Sequence, residues 1–402
     1  MTTATKVAAP GDVTREDLLE RARDLLPVLR ERAPHAENLR RLPEETEKDF
    51  HEAGLFRMVQ PARVGGAELD YGILVDIGAM VGRACGSSAW NLINLGCHHW
   101  MLGMFPPQVQ DEVWTENPDA LVASSFIFPA GRAKRAKGGY LVSGRWPFSS
   151  GVDNAGWNML AAMVQDEDDA APPEHRLFML RRSNYEIIDT WHAAGLRGTG
   201  SKDVAAEAVF VPEHRTLAAR DMRGGPSPGS AVNAGPLYRL PLFAVFPYVL
   251  SGAALGVAQG AWETHVEVLR SRVSHYTGAR ISEFQAVQIK LAEAKSGIDA
   301  AELVMQRDCA EAMRIAEAGD VPDIETKARF RRNGAFSVNL CTKAVDIVFG
   351  LAGGSGLYDS SPMQRAFRDA HAISAHIAFN TDAAGTTYGR IALGLPPDNP
   401  LL

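Results

Sequence analysis

The chain has 402 residues, of which 46% are hydrophobic and 22% are charged. This composition excludes a disordered chain, which would be poorer in apolar residues and richer in charge. The 41 basic and 48 acidic residues give a net charge of −7, which argues against a nucleic-acid-binding protein, because such proteins present a basic face. At this length we expect two or three domains, since a single core rarely grows so large.

The residues at the N-terminus and the cysteines indicate a cytoplasmic protein. Residues 1–17 contain no apolar stretch of the kind that forms a secretory signal. The spacing of the four cysteines matches neither a zinc site nor a CxxC redox pair. We therefore expect four buried, reduced thiols. These cysteines are Cys85, Cys97, Cys309 and Cys341.

Residues 1–120 predict an N-terminal α-helical domain. Thr14 and Asp17 have the spacing of a capping box, and leucine and alanine recur behind them at helical intervals. Residues 42–56 form a second candidate helix, which begins after a proline and ends at Gly54. Further helical patterns cover residues 76–90 and 100–114.

Residues 121–232 predict a middle β-domain of barrel-like type. Short apolar runs such as LVASSFIF, RLFMLRR and VAAEAVFVP alternate with polar or glycine-rich turns. Residues 133–151 have the pattern of a hairpin that turns at Gly138 and Gly139. Residues 166–174 (DEDDAAPPE) indicate a solvated acidic loop, and residues 223–235 form a Gly/Pro/Ser boundary.

Residues 233–402 predict a C-terminal α-helical bundle, with long helices over residues 283–318 and 328–350. Residues 240–262 carry no charge and are long enough to cross a membrane. Two prolines, three glycines and a glutamine interrupt them, so we expect a buried core helix instead. The order helical, β, helical also differs from a Rossmann fold, in which strands and helices alternate.

Several familiar motifs lack the context that their chemistry requires. Residues 225–229 match the letters G-x-S-x-G, but they lie in a proline-rich loop rather than between a strand and a helix. His98 and His99 are adjacent, so their rings diverge on a helix, and His371 and His376 lie on different faces. We therefore predict neither a hydrolase elbow nor a metal site.

Four segments stand out together: residues 195–203 (GLRGTGSKD), 284–293 (FQAVQIKLAE), 350–356 (GLAGGSG) and 364–370 (QRAFRDA). Glycine-rich turns at helix ends expose backbone N–H groups that suit phosphate oxygens. Arg197, Arg365 and Arg368 would add charge-assisted hydrogen bonds. In order and spacing, these segments and residues 42–66 resemble the acyl-CoA dehydrogenase superfamily.

The resemblance implies an acyl-CoA dehydrogenase-like fold, with an N-terminal all-α domain, a middle β-domain and a C-terminal four-helix bundle. It also implies a homotetramer that binds flavin between the β-domain and the bundle, touched by a neighbouring subunit. The carboxylate base of the dehydrogenases is missing. One of its two usual positions holds Ile377, and residues 222–262 contain no Asp or Glu. Simple acyl-CoA dehydrogenation is therefore disfavoured.

Residues 368–380 (RDAHAISAHIAFN) resemble the last helix of the two-component flavin-dependent monooxygenases of this fold. These oxygenase components hydroxylate phenols, and relatives oxidise dibenzothiophene sulfur or amino-sugar nitrogen. The resemblance implies reduced FMN or FAD from a separate NAD(P)H:flavin reductase, O₂ as co-substrate and a C4a-hydroperoxyflavin. A small aromatic substrate follows from it, and no metal, membrane or nucleic acid is implied.

The resemblance also assigns site residues. His376 is the expected base that deprotonates the phenol, and His98 matches a histidine that contacts the phenol oxygen, with His99 as the alternative. Ser149 is the expected catalytic hydroxyl near flavin N5. The expected flavin contacts are Ser124, Ser125, Ser149, Ser150, Arg197, Thr199, Gly353, Gly354 and Ser355. The expected substrate contacts are His98, Ser124, Trp100 and His376.

Three other functions remain open at this point. A nitrogen or sulfur oxygenase would share the fold and cofactor but would need no base for a phenol. An acyl-CoA dehydrogenase would need a base at a new position. A non-catalytic flavin-binding scaffold would bind flavin without activating oxygen.

Overall fold

The computed structural model describes residues 13–165, 173–274 and 276–402, so the predicted acidic loop lies mostly outside the described residues. Before the sheet come α1 (Arg15–Asp24), α2 (Leu26–Leu39), α3 (Glu44–Glu52), α4 (Ile73–Gly82), α5 (Gly86–Leu102) and α6 (Pro107–Glu116). The strands are β1 (Val122–Ser125), β2 (Gly131–Ala136), β3 (Gly139–Ser149), β4 (Trp157–Val164), β5 (Glu174–Arg181), β6 (Glu186–Ile188), β7 (Lys202–Pro212) and β8 (Thr216–Ala218). After it come α7 (Leu242–Val245), α8 (Pro247–Ser271), α9 (Gln285–Glu317), α10 (Ile324–Ala352), α11 (Pro362–Ser374) and α12 (Thr381–Ala392).

The predicted capping box is confirmed at the start of α1. Thr14 N–H donates to Asp17 Oδ2 at 2.9 Å, and Asp17 N–H donates to Thr14 Oγ1 at 3.1 Å. The continuous helical pattern over residues 76–90 is wrong, because the chain breaks it between α4 and α5. Cys85 has an extended backbone there, and its sulfur accepts the N–H of Ser88, so it begins a new helix.

The strands form one sheet in the order β6-β7-β3-β2-β4-β5-β8, with β1 parallel to β4. All of them fall within the predicted middle region. The hairpin is confirmed, since β2 and β3 pair antiparallel on either side of the turn at Gly138. A bulge interrupts β3 between Trp146 and Ser149, and Phe148 there has a φ of +63°. The bulge turns Phe148 outward and buries Ser149.

The uncharged segment forms α7 and most of α8, which confirms the prediction of a buried helix. Its apolar stretch is 94% buried. Within the described residues one further helix, Ile324–Leu357, is long and apolar enough to span a membrane, and its apolar stretch is 50% buried. Glycines explain the close packing of α8 on α4. A Cβ on Gly78 would lie 3.1 Å from the Gly252 backbone, and one on Gly82 would lie 3.0 Å from Gly256. The lack of charge therefore reflects helix–helix contact inside the protein.

The predicted long helices are confirmed as α9 and α10, and they pack with α8 and α11 into the bundle. The expected apolar face of α9 is buried at Ala294, Ile298, Ala301 and Met305. Polar contacts fix the register of the bundle. Tyr248 Oη donates to Asp308 Oδ2 at 2.5 Å, and Asn333 Nδ2 donates to the same oxygen at 2.8 Å. The core of the bundle thereby aligns α8, α9 and α10.

Candidate active site

His98 lies on α5, whose residues are all buried, and faces β1. Its Nδ1 lies 2.6 Å from the carbonyl oxygen of Val122. A carbonyl only accepts hydrogen bonds, so Nδ1 carries the proton and Nε2 of the neutral ring has a free lone pair. Nε2 is buried and has no hydrogen-bond partner among the described residues. Burial lowers the pKa of His98 to about 4, so the ring is neutral at physiological pH.

The neighbouring His99 is used differently. Its Nδ1 accepts the indole N–H of Trp114 at 3.2 Å, and the two rings stack with centroids 6.0 Å apart. Burial lowers the pKa of His99 to about 3. The structure therefore separates the two candidates: His99 belongs to the core, and His98 is the histidine with a free nitrogen.

Four phenylalanines connect the His98 region to the bundle. We call Phe126, Phe128, Phe243 and Phe246 the phenylalanine group. Phe126 stands edge-on to His98, with centroids 6.0 Å apart, and also contacts Phe243 and Phe246 at 6.2 and 5.8 Å. Phe128 contacts Phe243 at 6.0 Å. This apolar, aromatic surface suits a flat aromatic ligand.

His376 lies at the other end of the phenylalanine group. Its ring centroid is 6.2 Å from that of Phe246 and 5.7 Å from that of Trp90. The resemblance placed His376 on the last helix, but α11 ends at Ser374, and His376 caps the short 3₁₀ turn that follows. Burial lowers the pKa of His376 to about 4.

The hydrogen bond of His376 bears on its expected role as a base. Nδ1 accepts the backbone N–H of Ala378 at 3.1 Å, so a neutral ring carries its proton on Nε2. In this tautomer Nε2 is a donor and has no lone pair with which to take a proton. The geometry therefore favours His98 over His376 as the base.

Ser149 and Ser150 follow the bulge in β3, and a chain of hydrogen bonds holds Ser150. The indole N–H of Trp90 donates to Ser150 Oγ at 3.0 Å, and Ser150 Oγ lies 2.7 Å from Ser201 Oγ. Ser201 Oγ lies 2.7 Å from Thr199 Oγ1, which donates to the carbonyl of Leu196 at 2.9 Å. With Thr199 as the donor to Leu196, this hydroxyl chain uses the protons of both Ser150 and Thr199 within the protein.

Three other predicted hydroxyls differ in their contacts. Ser149 Oγ is fully buried and accepts Nδ2–H of Asn158 at 2.9 Å. Ser125 Oγ donates to the carbonyl of Pro147 at 2.7 Å. Ser124 lies on β1, two residues after Val122, which binds His98, and two residues before Phe126, whose ring packs on His98. The side chain of Ser124 has no hydrogen bond within the described part of the chain. No described residue therefore accepts the hydroxyl protons of Ser124 and Ser149, whereas the proton of Ser125 is used.

The arginines and the glycine-rich turn also separate into occupied and available groups. Arg365 and Arg368 both lie near Glu37, at 3.7 and 2.8 Å. Arg197 is exposed and has no ion-pair partner in the ranges that the structure describes. Gly353, Gly354 and Ser355 form an exposed turn after α10, and Ser355 Oγ donates to the carbonyl of Ala352 at 2.8 Å.

Trp100 does not join this site. It is fully buried, its Nε1–H donates to the carbonyl of Leu237 at 2.7 Å, and its ring packs on Tyr71 at 4.9 Å. Two residues along a helix point about 200° apart, so Trp100 faces away from the side that holds His98. The prediction that Trp100 binds substrate therefore does not fit the fold.

Sequence reasoning missed five contributors. Asn158 and Ser201 hold the two serines, and Asp369 accepts the N–H of Leu196 at 2.7 Å. Phe243 and Phe246 lie in the uncharged segment that was assigned to the bundle core. Their spacing of three residues was the available signal, but only the fold shows that they meet Phe126.

The available groups fit a flavin. Ser149 offers a buried hydroxyl proton, Arg197 offers a free positive charge for phosphate, and Gly353 and Gly354 offer exposed backbone at a helix end. No group of His, Cys, Asp and Glu residues in the described ranges has the arrangement of a metal site.

Comparison with known proteins agrees with a flavin site. A family model described as acyl-CoA dehydrogenase, C-terminal domain, matches residues 248–381. The chain is 36% identical to the oxygenase subunit HsaA of a flavin-dependent monooxygenase from Rhodococcus jostii, over 94% of this chain and 98% of that protein. It is 37% identical to the oxygenase component of an FADH₂-dependent resorcinol hydroxylase from Rhizobium sp., over 94% and 95% of the two chains. The crystal structure of 3-HSA hydroxylase from Rhodococcus sp. RHA1 superposes with a TM-score of 0.91 at 34% identity, covering 96% of this chain and 99% of that one.

Proposed function

The chain belongs to the oxygenase components of flavin-dependent monooxygenases, and from this premise we propose that His98 and its surroundings bind and activate a phenolic substrate. One atom of O₂ enters the aromatic ring and the other leaves as water, with reduced flavin as the electron donor. Two similar proteins, a resorcinol hydroxylase and a 3-HSA hydroxylase, support this reaction class.

The observation that carries the proposal is the free Nε2 of His98. The bond from Nδ1–H to Val122 fixes the tautomer, and the buried Nε2 faces no protein donor within the described ranges. A phenol hydroxyl that donates to Nε2 would satisfy it. Transfer of the proton makes the ring carbon more electron-rich, and the phenolate then stabilises the imidazolium by opposite charge. Ser124 lies on β1, two residues after the Val122 carbonyl that holds His98, and it is the proposed second contact of the phenol oxygen.

His376 has a different proposed role. Its Nε2–H is a donor, and its ring ends the phenylalanine group on the side of Trp90. We assign it to substrate binding: it donates a hydrogen bond and, with Phe246, closes that side of the pocket to water. The rings of the phenylalanine group hold the aromatic substrate by stacking and edge contacts.

For the flavin, the proposal uses the groups left available. Ser149 donates its hydroxyl proton at the ring edge, and Arg197 pairs with phosphate. Gly353, Gly354 and Ser355, the last through its backbone because its hydroxyl is bound to Ala352, belong to the same proposed site, reached from a neighbouring subunit. When bound in reduced form, the flavin supplies the activated oxygen, and the protein supplies positioning and exclusion of water.

The proposed assembly is a homotetramer in the cytoplasm, served by a separate NAD(P)H:flavin reductase. The oxygenase components similar to this chain belong to systems in which another protein reduces the flavin. Exposed apolar side chains on the bundle helices support association: Ile289 and Leu303 on α9 are 58% and 67% exposed, and Phe336 on α10 is 54% exposed. The four cysteines are free and buried, which suits a reducing compartment.

The test uses 4-nitrophenol, a phenol whose ionised form is yellow, bound to flavin-free protein. We expect the bound phenol to ionise at lower pH than free nitrophenol, and we expect His98→Asn to abolish this shift. With reductase and flavin present, the same variant should lose roughly 10²-fold or more of its hydroxylation rate. His376→Gln should weaken binding but keep the shift.

The matched control is His99→Asn, which changes the adjacent buried histidine and should keep both the shift and the hydroxylation rate. Undiminished turnover in His98→Asn would contradict the proposal. It would favour oxygenation of nitrogen or sulfur, which needs no base for a phenol.

A further inference from the structure

Ser149 and Ser150 are adjacent, but the structure uses their hydroxyl protons in opposite ways. In the hydroxyl chain, Thr199 spends its single proton on the carbonyl of Leu196. With Thr199 as the donor to Leu196, the chain runs in one direction, from Ser150 to Ser201 and from Ser201 to Thr199. The proton of Ser150 is committed to the protein, and its oxygen also accepts the indole N–H of Trp90.

Ser149 is in the reverse situation. Its oxygen accepts Nδ2–H of Asn158 at 2.9 Å, and no residue in the described ranges accepts its proton. The side chains of Ser149 and Asn158 are fully buried, so bulk water does not accept the hydroxyl proton of Ser149. A buried hydroxyl with an unused donor costs free energy, which a ligand acceptor would recover.

Asn158 is held rigidly enough to impose this arrangement. It lies on β4, an interior strand, opposite Ala123 of β1 on one side and Leu180 of β5 on the other. Its side chain is fully buried, so the packing around it restricts rotation of the amide away from Ser149. Because the amide nitrogen can only donate, it occupies a lone pair of Ser149 and leaves the hydroxyl proton to point elsewhere.

We propose that Asn158 is a positioning residue that commits the Ser149 hydroxyl proton to the flavin, while Ser201 prevents Ser150 from competing. The inference rests on the proposed flavin site at Ser149. It explains why two adjacent serines occur where one donor is needed: one supports Trp90, and the other serves the cofactor. A donor fixed before the flavin arrives needs no reorganisation when the flavin binds.

The test is a double-mutant cycle with Asn158→Asp and Ser149→Ala. The aspartate has the shape of asparagine but accepts instead of donating, so it takes the Ser149 proton away from the flavin. We expect Asn158→Asp to weaken binding of oxidised FMN roughly three- to ten-fold, the value of one hydrogen bond. The fraction of O₂ released as H₂O₂ should rise with it. FAD is titrated in a parallel series.

The decisive result is the second arm of the cycle. In the Ser149→Ala background, Asn158→Asp should have no further effect on FMN affinity, because there is no hydroxyl left to orient. Structural damage by a buried carboxylate would persist in both backgrounds. Ser251→Ala is the matched control for loss of a buried serine hydroxyl, since Ser251 only donates within its own helix, to the carbonyl of Tyr248.

Two outcomes overturn the proposal. Additive effects in the cycle would show that Asn158 does not act through Ser149. Unchanged FMN affinity in Asn158→Asp would show that the amide oxygen, not the nitrogen, faces Ser149. Either result leaves the proposed function standing, provided that wild-type protein binds flavin and converts a phenol. Failure of the wild type in both assays would instead contradict the proposed function.

Discussion

The indole ring of Trp90 stands edge-on to the imidazole of His376, with centroids 5.7 Å apart and planes at 64°. The same indole donates Nε1–H to Ser150, the first member of the hydroxyl chain. At the far end of that chain, Leu196 donates its N–H to Asp369 on α11. Through its ring contact with His376 and its hydrogen bond to Ser150, Trp90 on α5 therefore links the N-terminal helices to the end of β3 and to the bundle, beside the candidate substrate site.

Substitution of Trp90 separates its two contacts. Trp90→Phe keeps an aromatic ring against His376 but removes the N–H, and it should cost about 1 kcal/mol of unfolding free energy. Trp90→Ala leaves a cavity beside His376 and should cost roughly 3–5 kcal/mol. Because water then reaches the pocket, H₂O₂ release should rise much more in Trp90→Ala than in Trp90→Phe.

Urea unfolding and the ratio of product to H₂O₂ measure the two effects of these substitutions. Wild-type coupling in Trp90→Ala would show that this indole does not exclude water from the pocket.

The contact between α4 and α8 makes a second prediction. A methyl group on Gly256 would lie 2.3 Å from the carbonyl oxygen of Ala79 and 2.7 Å from Cα of Gly82. Both are backbone atoms, so the helices must separate. Gly256→Ala should therefore destabilise the protein by several kcal/mol, on the order of other overpacked cores.

The matched control is Gly385→Ala in α12. A Cβ at Gly385 meets no atom within 4 Å, so the change should stabilise the helix by roughly 0.5–1 kcal/mol. Thermal unfolding of both variants tests the pair. Equal effects would show that helix propensity, rather than the close approach of α4 and α8, dominates at Gly256.

Arg197 provides a third prediction, about charge. It is exposed without an ion pair in the described ranges, whereas Arg365 lies near Glu37. Arg197→Gln should weaken FMN binding about ten-fold, as expected for a charge-assisted bond to phosphate, without lowering the unfolding temperature. Arg365→Gln should leave FMN affinity within about two-fold. If flavin titrations show that Arg365→Gln weakens FMN binding and Arg197→Gln does not, the phosphate contact lies on α11 instead.

The sequence predicts the helices well because their signals are local. The apolar face of α9, the capping box at Thr14 and the hairpin turn at Gly138 each depend on residues close together in the chain. The family resemblance supplied the candidate residues His98, Ser149 and His376. The break between α4 and α5 was missed, because the apolar pattern continues through Cys85 and only its extended backbone reveals a new helix.

The roles within the site depend on contacts between distant residues, which no local pattern contains. Val122 fixes the tautomer of His98, and Ala378 fixes that of His376. On these tautomers we propose that the expected base and its partner exchange roles. The choice between Ser149 and Ser150 depends on Asn158 and Ser201 in the same way. Trp100 was an expected substrate contact, but helix geometry turns it away from the side of α5 that holds His98.

The last prediction concerns pH and the buried His99. Its pKa is about 3 in the folded protein, because burial disfavours the charged ring, and about 6.5 in the unfolded chain. As pH falls below 6.5, the unfolded chain takes up a proton that the folded protein refuses, so folded stability is lost. His99→Phe removes this pH-dependent loss of stability, but it leaves the indole N–H of Trp114 without an acceptor.

At about pH 7.5 the His99→Phe variant should be less stable than wild type by roughly 1–3 kcal/mol, the cost of an unsatisfied buried donor. Below about pH 6.5 the difference should shift in favour of the variant by about 1 kcal/mol per pH unit. Urea unfolding of both proteins at several pH values measures this difference, in which the contributions of all other groups cancel. A difference that does not change with pH would mean that His99 is protonated in the folded protein, and the buried acceptor role assigned to its Nδ1 would then be wrong.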